Sequence, residues 1–74
     1  MVNIEIILNN ISERIEEIKK EKGWTTKQFA DFVGIPRTTV NSWIWKEKVP
    51  RIDLLYKMAD AFNVTVDYLI GREE

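Results

Sequence analysis

The sequence predicts an all-α fold of five helices joined by short turns. Three observations predict it. Apolar residues recur at steps of three and four in one segment after another, which turns one helix face toward a core. Glycines and prolines fall between those segments, where they stop and start helices, and not within them. No stretch alternates convincingly as a strand does, although IEIIL, residues 4–8, is short and apolar enough to pair as an arm.

The first helix rests on Ile4, Leu8, Ile11, Ile15 and Ile18. Two starts are open. Asn10 followed by Glu13 has the form of a capping box, which would begin the helix there; otherwise it runs unbroken from near Ile4. Gly23 ends it. Thr25 and Gln28 form a second capping-box pattern ahead of Phe29, Ala30 and Val33, so a second helix covers about 26–33 and stops at Gly34. Pro36 fits the first turn of a third helix over about 36–45, held inward by Val40 and Trp43. Pro50 breaks the chain. Ile52, Leu55, Met58, Ala59 and Phe62 mark a fourth helix closed by Asn63. Thr65 caps a short fifth through Val66 and Leu69, closed by Gly71.

At 74 residues, with no cysteine, the chain is near the lower limit for a self-sufficient core and has no disulfide to help it. Packing must carry its stability, and 45% hydrophobic composition with three Trp supplies the material. No apolar run approaches the roughly 18 residues of a membrane span. The opening MVNIEIIL has no basic leader or small-residue cleavage site, so a cytoplasmic chain with no membrane association is expected. With no His, no Cys, no Gly-rich phosphate loop and no carboxylates at metal-ligand spacing, the expectation is a protein that is not an enzyme and takes no metal or cofactor.

The charge distribution is more telling than the net charge of -1. Residues 19–51 hold eight basic side chains against three acidic ones. Residues 1–18 hold one against four, and residues 52–74 two against five. A basic middle between acidic flanks points to an anionic partner at the middle. Within it lies GIPRTTVNSW, residues 34–43, where short hydrogen-bonding side chains cluster beside the inward Val40 and Trp43.

Two short helices about a Gly-centred turn, the second rich in short polar groups, suggest a helix-turn-helix. The pieces ISERIEEIKKEKGWT, QFADFVGIPRTTVNSW, KVPRIDLLYKMADAFNV and TVDYLIG, in that order, resemble the Cro/phage CI repressor-type helix-turn-helix domains of XRE-like transcriptional regulators. The resemblance covers about residues 10–71. It implies a compact five-helix bundle of the lambda repressor-like kind, one helix-turn-helix domain over 1–74 with residues 1–9 as an apolar extension. It also implies that the helix at 36–45 docks in the major groove of double-stranded DNA. By position, Arg37, Thr38 and Ser42 would read bases. Arginine can reach guanine bidentately, and threonine offers a hydroxyl and a methyl. Asn41, which suits adenine, and Thr39 would serve bases or backbone. Pro36 would meet apolar base edges or nothing. Lys46, Lys48 and Arg51, in the following turn, would hold phosphates. Thr26 stands where the family has a phosphate-anchoring glutamine, and Lys27 would share or take over that contact. Lys19, Lys20 and Lys22 suit the negative end of the first helix.

The sequence departs from the family at several positions. Ile44 replaces a glutamate that pairs with a basic residue at the position of Lys19, so Lys19 is expected to cover apolar surface or point to solvent. Trp45 and Lys46 replace a polar residue and a glycine, so the third helix is expected to run longer. Phe32, Ile44 and Trp45 offer a candidate surface for a protein partner. The expected function is a DNA-binding transcriptional regulator, a repressor acting as a homodimer. The alternative is the same fold used as a protein-interaction module or antitoxin. Ile4, Ile6, Ile7 and Leu8, or the last helices around Val66 to Ile70, would supply the dimer contact.

Overall fold

A computed structural model describes residues 3–72, which form five helices: α1 (Ile4–Lys22), α2 (Thr26–Val33), α3 (Arg37–Ile44), α4 (Ile52–Ala61) and α5 (Val66–Leu69). Residues 1–2 of the expected extension and residues 73–74 lie outside the described residues. α1 takes the earlier of its two possible starts. The Asn3 side chain accepts hydrogen bonds from the amides of Glu5 (2.9 Å) and Ile6 (3.3 Å), and IEIIL is the opening of a helix and not an arm. Asn10 is no cap. Its Nδ2 donates to the carbonyl of Ile70 (3.0 Å), a contact sixty residues away that no local rule contains.

α1 packs against α3 and α5, α2 against α3 and α4, and α4 against α5. Between them lies a core of Ile11, Ile15, Phe29, Ala30, Val33, Ile35, Val40, Trp43, Leu55, Met58, Ala59 and Leu69. Each large member contributes about 1.5–3 kcal/mol by leaving water, and few such members exist in a chain this short. Ile4 and Ile52 are exceptions to the expected stripes. They open α1 and α4 but stand 50% and 70% exposed.

The helix ends follow one rule. Each helix is followed by a residue in the left-handed region: Gly23, Gly34, Lys46 (φ 61), Asn63 (φ 54) and Gly71. The amide after each of these residues reaches back to a carbonyl in the last turn: Trp24 to Lys19, Ile35 to Ala30, Glu47 to Ser42, Val64 to Ala59 and Arg72 to Asp67, at 2.8–3.1 Å. This is the Schellman closure, which satisfies carbonyls that the helix itself leaves open. The expected lengthening of α3 does not occur. Lys46, though not glycine, takes the left-handed conformation and the helix ends at Ile44, with Trp45 as its cap. At Gly71 glycine is required twice over: φ is +86°, and a Cβ there would run into the side-chain amide of Asn10.

Candidate nucleic-acid interface

α3 is fixed from both ends, and that fixes what it presents. Val40 and Trp43 anchor it in the core. Behind its C-terminus, the buried Ser12 of α1 donates its hydroxyl to the carbonyl of Ile44 (2.8 Å). Ahead of its N-terminus, Lys57 of α4 reaches the carbonyl of Gly34 (3.0 Å) and braces the turn between α2 and α3. Ser12 and Lys57 were not anticipated, because their partners lie 32 and 23 residues away in sequence.

With α3 held this way, Pro36, Arg37 and Thr38 are exposed on its first turn, and Thr39 and Asn41 are half-buried. Ser42, expected to read bases, is not open on that face. It is only 9% exposed, and its hydroxyl donates to the carbonyl of Thr39 (2.7 Å). Its proton is therefore spent inside the helix, and only an acceptor is left to offer.

Beside α3 opens a groove of about 300 Å³, lined by Thr38, Thr39, Ser42, Lys48, Val49 and Arg51, with Trp43 and Leu54 also contributing. It brings together side chains expected to read bases and others expected to hold phosphates. The two helix starts nearest it, those of α3 and α4, lack a side-chain cap, whereas Asn3, Thr25 and Thr65 cap α1, α2 and α5. The first backbone N–H groups of α3 and α4 thus have no capping side chain to accept from them, and their partial positive charge adds to that of Lys48 and Arg51. Arg51 is exposed and paired with Asp53 (3.1 Å). Lys46 and Lys48 are exposed in the turn after α3.

At the start of α2, Lys19 departs from both expected fates. Its side chain is 17% exposed and donates to the Thr26 hydroxyl (2.8 Å) and to Glu16 (3.2 Å). The Thr26 oxygen accepts from an ammonium, so its own hydrogen is left to donate outward. Lys27 is paired with Asp31 along the exposed face of α2 (2.9 Å). Such an exposed pair is worth well under ~1 kcal/mol, so it yields readily to a stronger anion.

The three residues expected to form one protein-binding surface are not grouped by any ring contact. Phe32 stacks on Phe62 (5.3 Å between centroids) and meets Trp24 (5.0 Å), in an aromatic cluster with Phe29. Ile44 is partly buried against the core, and Trp45 stands exposed at the end of α3.

Comparison with known proteins gives a consistent picture. Residues 15–69 match the family model described as Helix-turn-helix (HTH_3). The HTH-type transcriptional regulator AnsR of Bacillus subtilis is 34% identical over 62 residues, 84% of this chain and 53% of that protein. The cryptic phage CTXphi transcriptional repressor RstR of Vibrio cholerae is 36% identical over 62 residues, 84% of this chain and 55% of that protein. A crystal structure of a transcriptional regulator from Listeria innocua superposes with a TM-score of 0.71 at 28% identity, over 86% of this chain and 60% of that one. The chain spans about half the length of the curated relatives it matches.

Proposed function

The chain belongs to the helix-turn-helix family, and on that premise we propose that it is a sequence-specific DNA-binding transcriptional regulator, a repressor that works in the cytoplasm as a homodimer. One observation carries the reading. The exposed Thr38 lines a groove with Lys48 and Arg51, next in sequence to the exposed Arg37 on the first turn of α3, in the basic third of an otherwise acidic chain. The first turn of α3 enters the major groove. Arg37 and Thr38 read base edges there, with Asn41 behind them. Ser42 contributes only as an acceptor. Thr39, Lys46, Lys48, Arg51, Thr26 and Lys27 hold phosphates, which sets register and affinity without reading sequence. Two copies place their α3 helices about 34 Å apart, one turn of DNA, on a near-palindromic operator. Repression follows from occupying DNA that polymerase needs. The relative named a transcriptional repressor supports that sign of regulation.

The test uses Trp45, exposed at the end of α3. The protein is titrated with mixed-sequence duplex at about 50 mM and then about 200 mM salt while tryptophan emission is followed. Binding that weakens steeply with salt is expected. Absence of binding at the lower salt overturns the reading and directs the search to a protein partner.

A further inference from the structure

Among the ion pairs of the described residues, that of Lys19 stands apart. Its side chain is only 17% exposed, against 68% and 77% for Lys27 and Arg51. Taking an ammonium out of water is costly unless its donors find acceptors. Ile44, apolar and partly buried, gives it no carboxylate. Lys19 donates instead to Glu16 of its own helix (3.2 Å) and to the hydroxyl of Thr26, the first residue of α2 (2.8 Å). The second bond is the shorter one, and it crosses from α1 to α2. It also decides what Thr26 can do. An oxygen that accepts from an ammonium must turn its own hydrogen elsewhere, and no acceptor among the described residues takes that hydrogen.

We infer that Lys19 is a positioning residue for DNA binding: it fixes the Thr26 hydroxyl as an outward donor to a backbone phosphate and lends that bond its charge. The inference rests on the proposed function in placing Thr26 among the phosphate contacts. A lone threonine hydroxyl rotates freely and can donate or accept. Backed by an ammonium, it is turned to donate, and it is polarised in the direction that strengthens the donated bond. A phosphate oxygen held by Thr26 lies within about 5.5 Å of the ammonium, well inside the roughly 10 Å over which charges act at 0.1 M salt. Lys19 thus attracts a phosphate that it does not touch. The Glu16 carboxylate is 52% exposed and solvated, so it offsets that attraction only in part.

Lys19→Met removes the ammonium and puts an apolar stem of similar volume in its place, so the fold is expected to hold. Thr26→Val keeps the shape and removes the hydroxyl. These two variants, their double, and Lys20→Met as a charge-matched control at an exposed position of α1 are titrated with mixed-sequence duplex at about 50 mM salt, following tryptophan emission. Lys19→Met is expected to weaken binding about fivefold in the parent and less than about twofold in the Thr26→Val background. Lys20→Met is expected to cost less than about twofold in the parent. Lys19→Arg, which can still donate to Thr26, is expected to stay within about twofold of the parent. A role confined to folding would move the urea midpoint and cost the same factor in both backgrounds. Equal losses in both backgrounds, a Lys19→Met loss no larger than that of Lys20→Met, or a Lys19→Arg loss as large as that of Lys19→Met overturns the inference. A parent that binds no duplex overturns the proposed function and the Lys19 role together. A parent that binds, with any of those three outcomes, overturns the Lys19 role alone.

Discussion

At the scale of single residues, the candidate interface divides its labour by exposure. Arg37 is exposed on the first turn of α3, and among the described residues it has no salt-bridge partner and the helix start beside it has no side-chain cap. Arg37→Ala is expected to lose discrimination at one base pair, about 1–3 kcal/mol, while affinity for unrelated duplex changes little. Competition binding against operator variants checks it, and equal losses on every sequence would move Arg37 to the phosphate set. Lys46 is a residue of a different kind, since its backbone sits at φ 61, where a side chain other than that of glycine or asparagine is strained. Lys46→Gly is expected to stabilise the fold by about 0.5–1 kcal/mol, raising Tm by several degrees, even as it removes a charge from the interface. A thermal melt that shifts downward would show that the lysine stem makes a contact worth more than the strain.

At the scale of elements, the helix ends explain both what the sequence told and what it withheld. The Thr25–Gln28 pair is legible because cap and acceptor lie three residues apart. The structure shows both bonds, Gln28 N to Thr25 Oγ1 at 3.2 Å and Thr25 N to Gln28 Oε1 at 2.8 Å. Thr25→Ala is expected to cost about 1 kcal/mol in urea unfolding, with no change in the slope of the transition. The glycine stops at 23, 34 and 71 were legible for the same local reason. The end of α3 was not, because a lysine accepts the left-handed position once two closing hydrogen bonds reward it. The start of α1 was misleading at Asn10, whose side chain serves α5. The exposure of Ile52 was hidden because periodicity alone does not say whether the first residue of a helix reaches the core. Within the candidate site, the exposed first turn of α3 was legible from the inward Val40 and Trp43. The withdrawal of Ser42 was not, since a serine three residues after Thr39 can fold its hydroxyl back or leave it out.

At the scale of the whole molecule, the uneven charge matters more than its sum. Association with DNA is expected to be driven by the basic third, so the salt dependence counts the phosphates contacted and not net charge. Lys48→Ala is expected to weaken binding evenly across sequences and to reduce the slope of log affinity against log salt by about one unit per copy. An unchanged slope would take Lys48 out of the interface. The tie between the two ends of the fold has a consequence of another sort. α5 is only four residues long, yet Leu69 is fully buried, Asn10 holds the carbonyl of Ile70, and Arg14 both bonds the carbonyl of Tyr68 (3.1 Å) and lies over its ring (4.3 Å). α1 is therefore completed by α5, which comes far later in the sequence. While a ribosome still shelters residues 66–70 in its exit tunnel, the emerged helices lack the piece that seals their core. Closure of the core by Leu69, and of the α1 contacts by Tyr68 and Ile70, waits on the emergence of that segment.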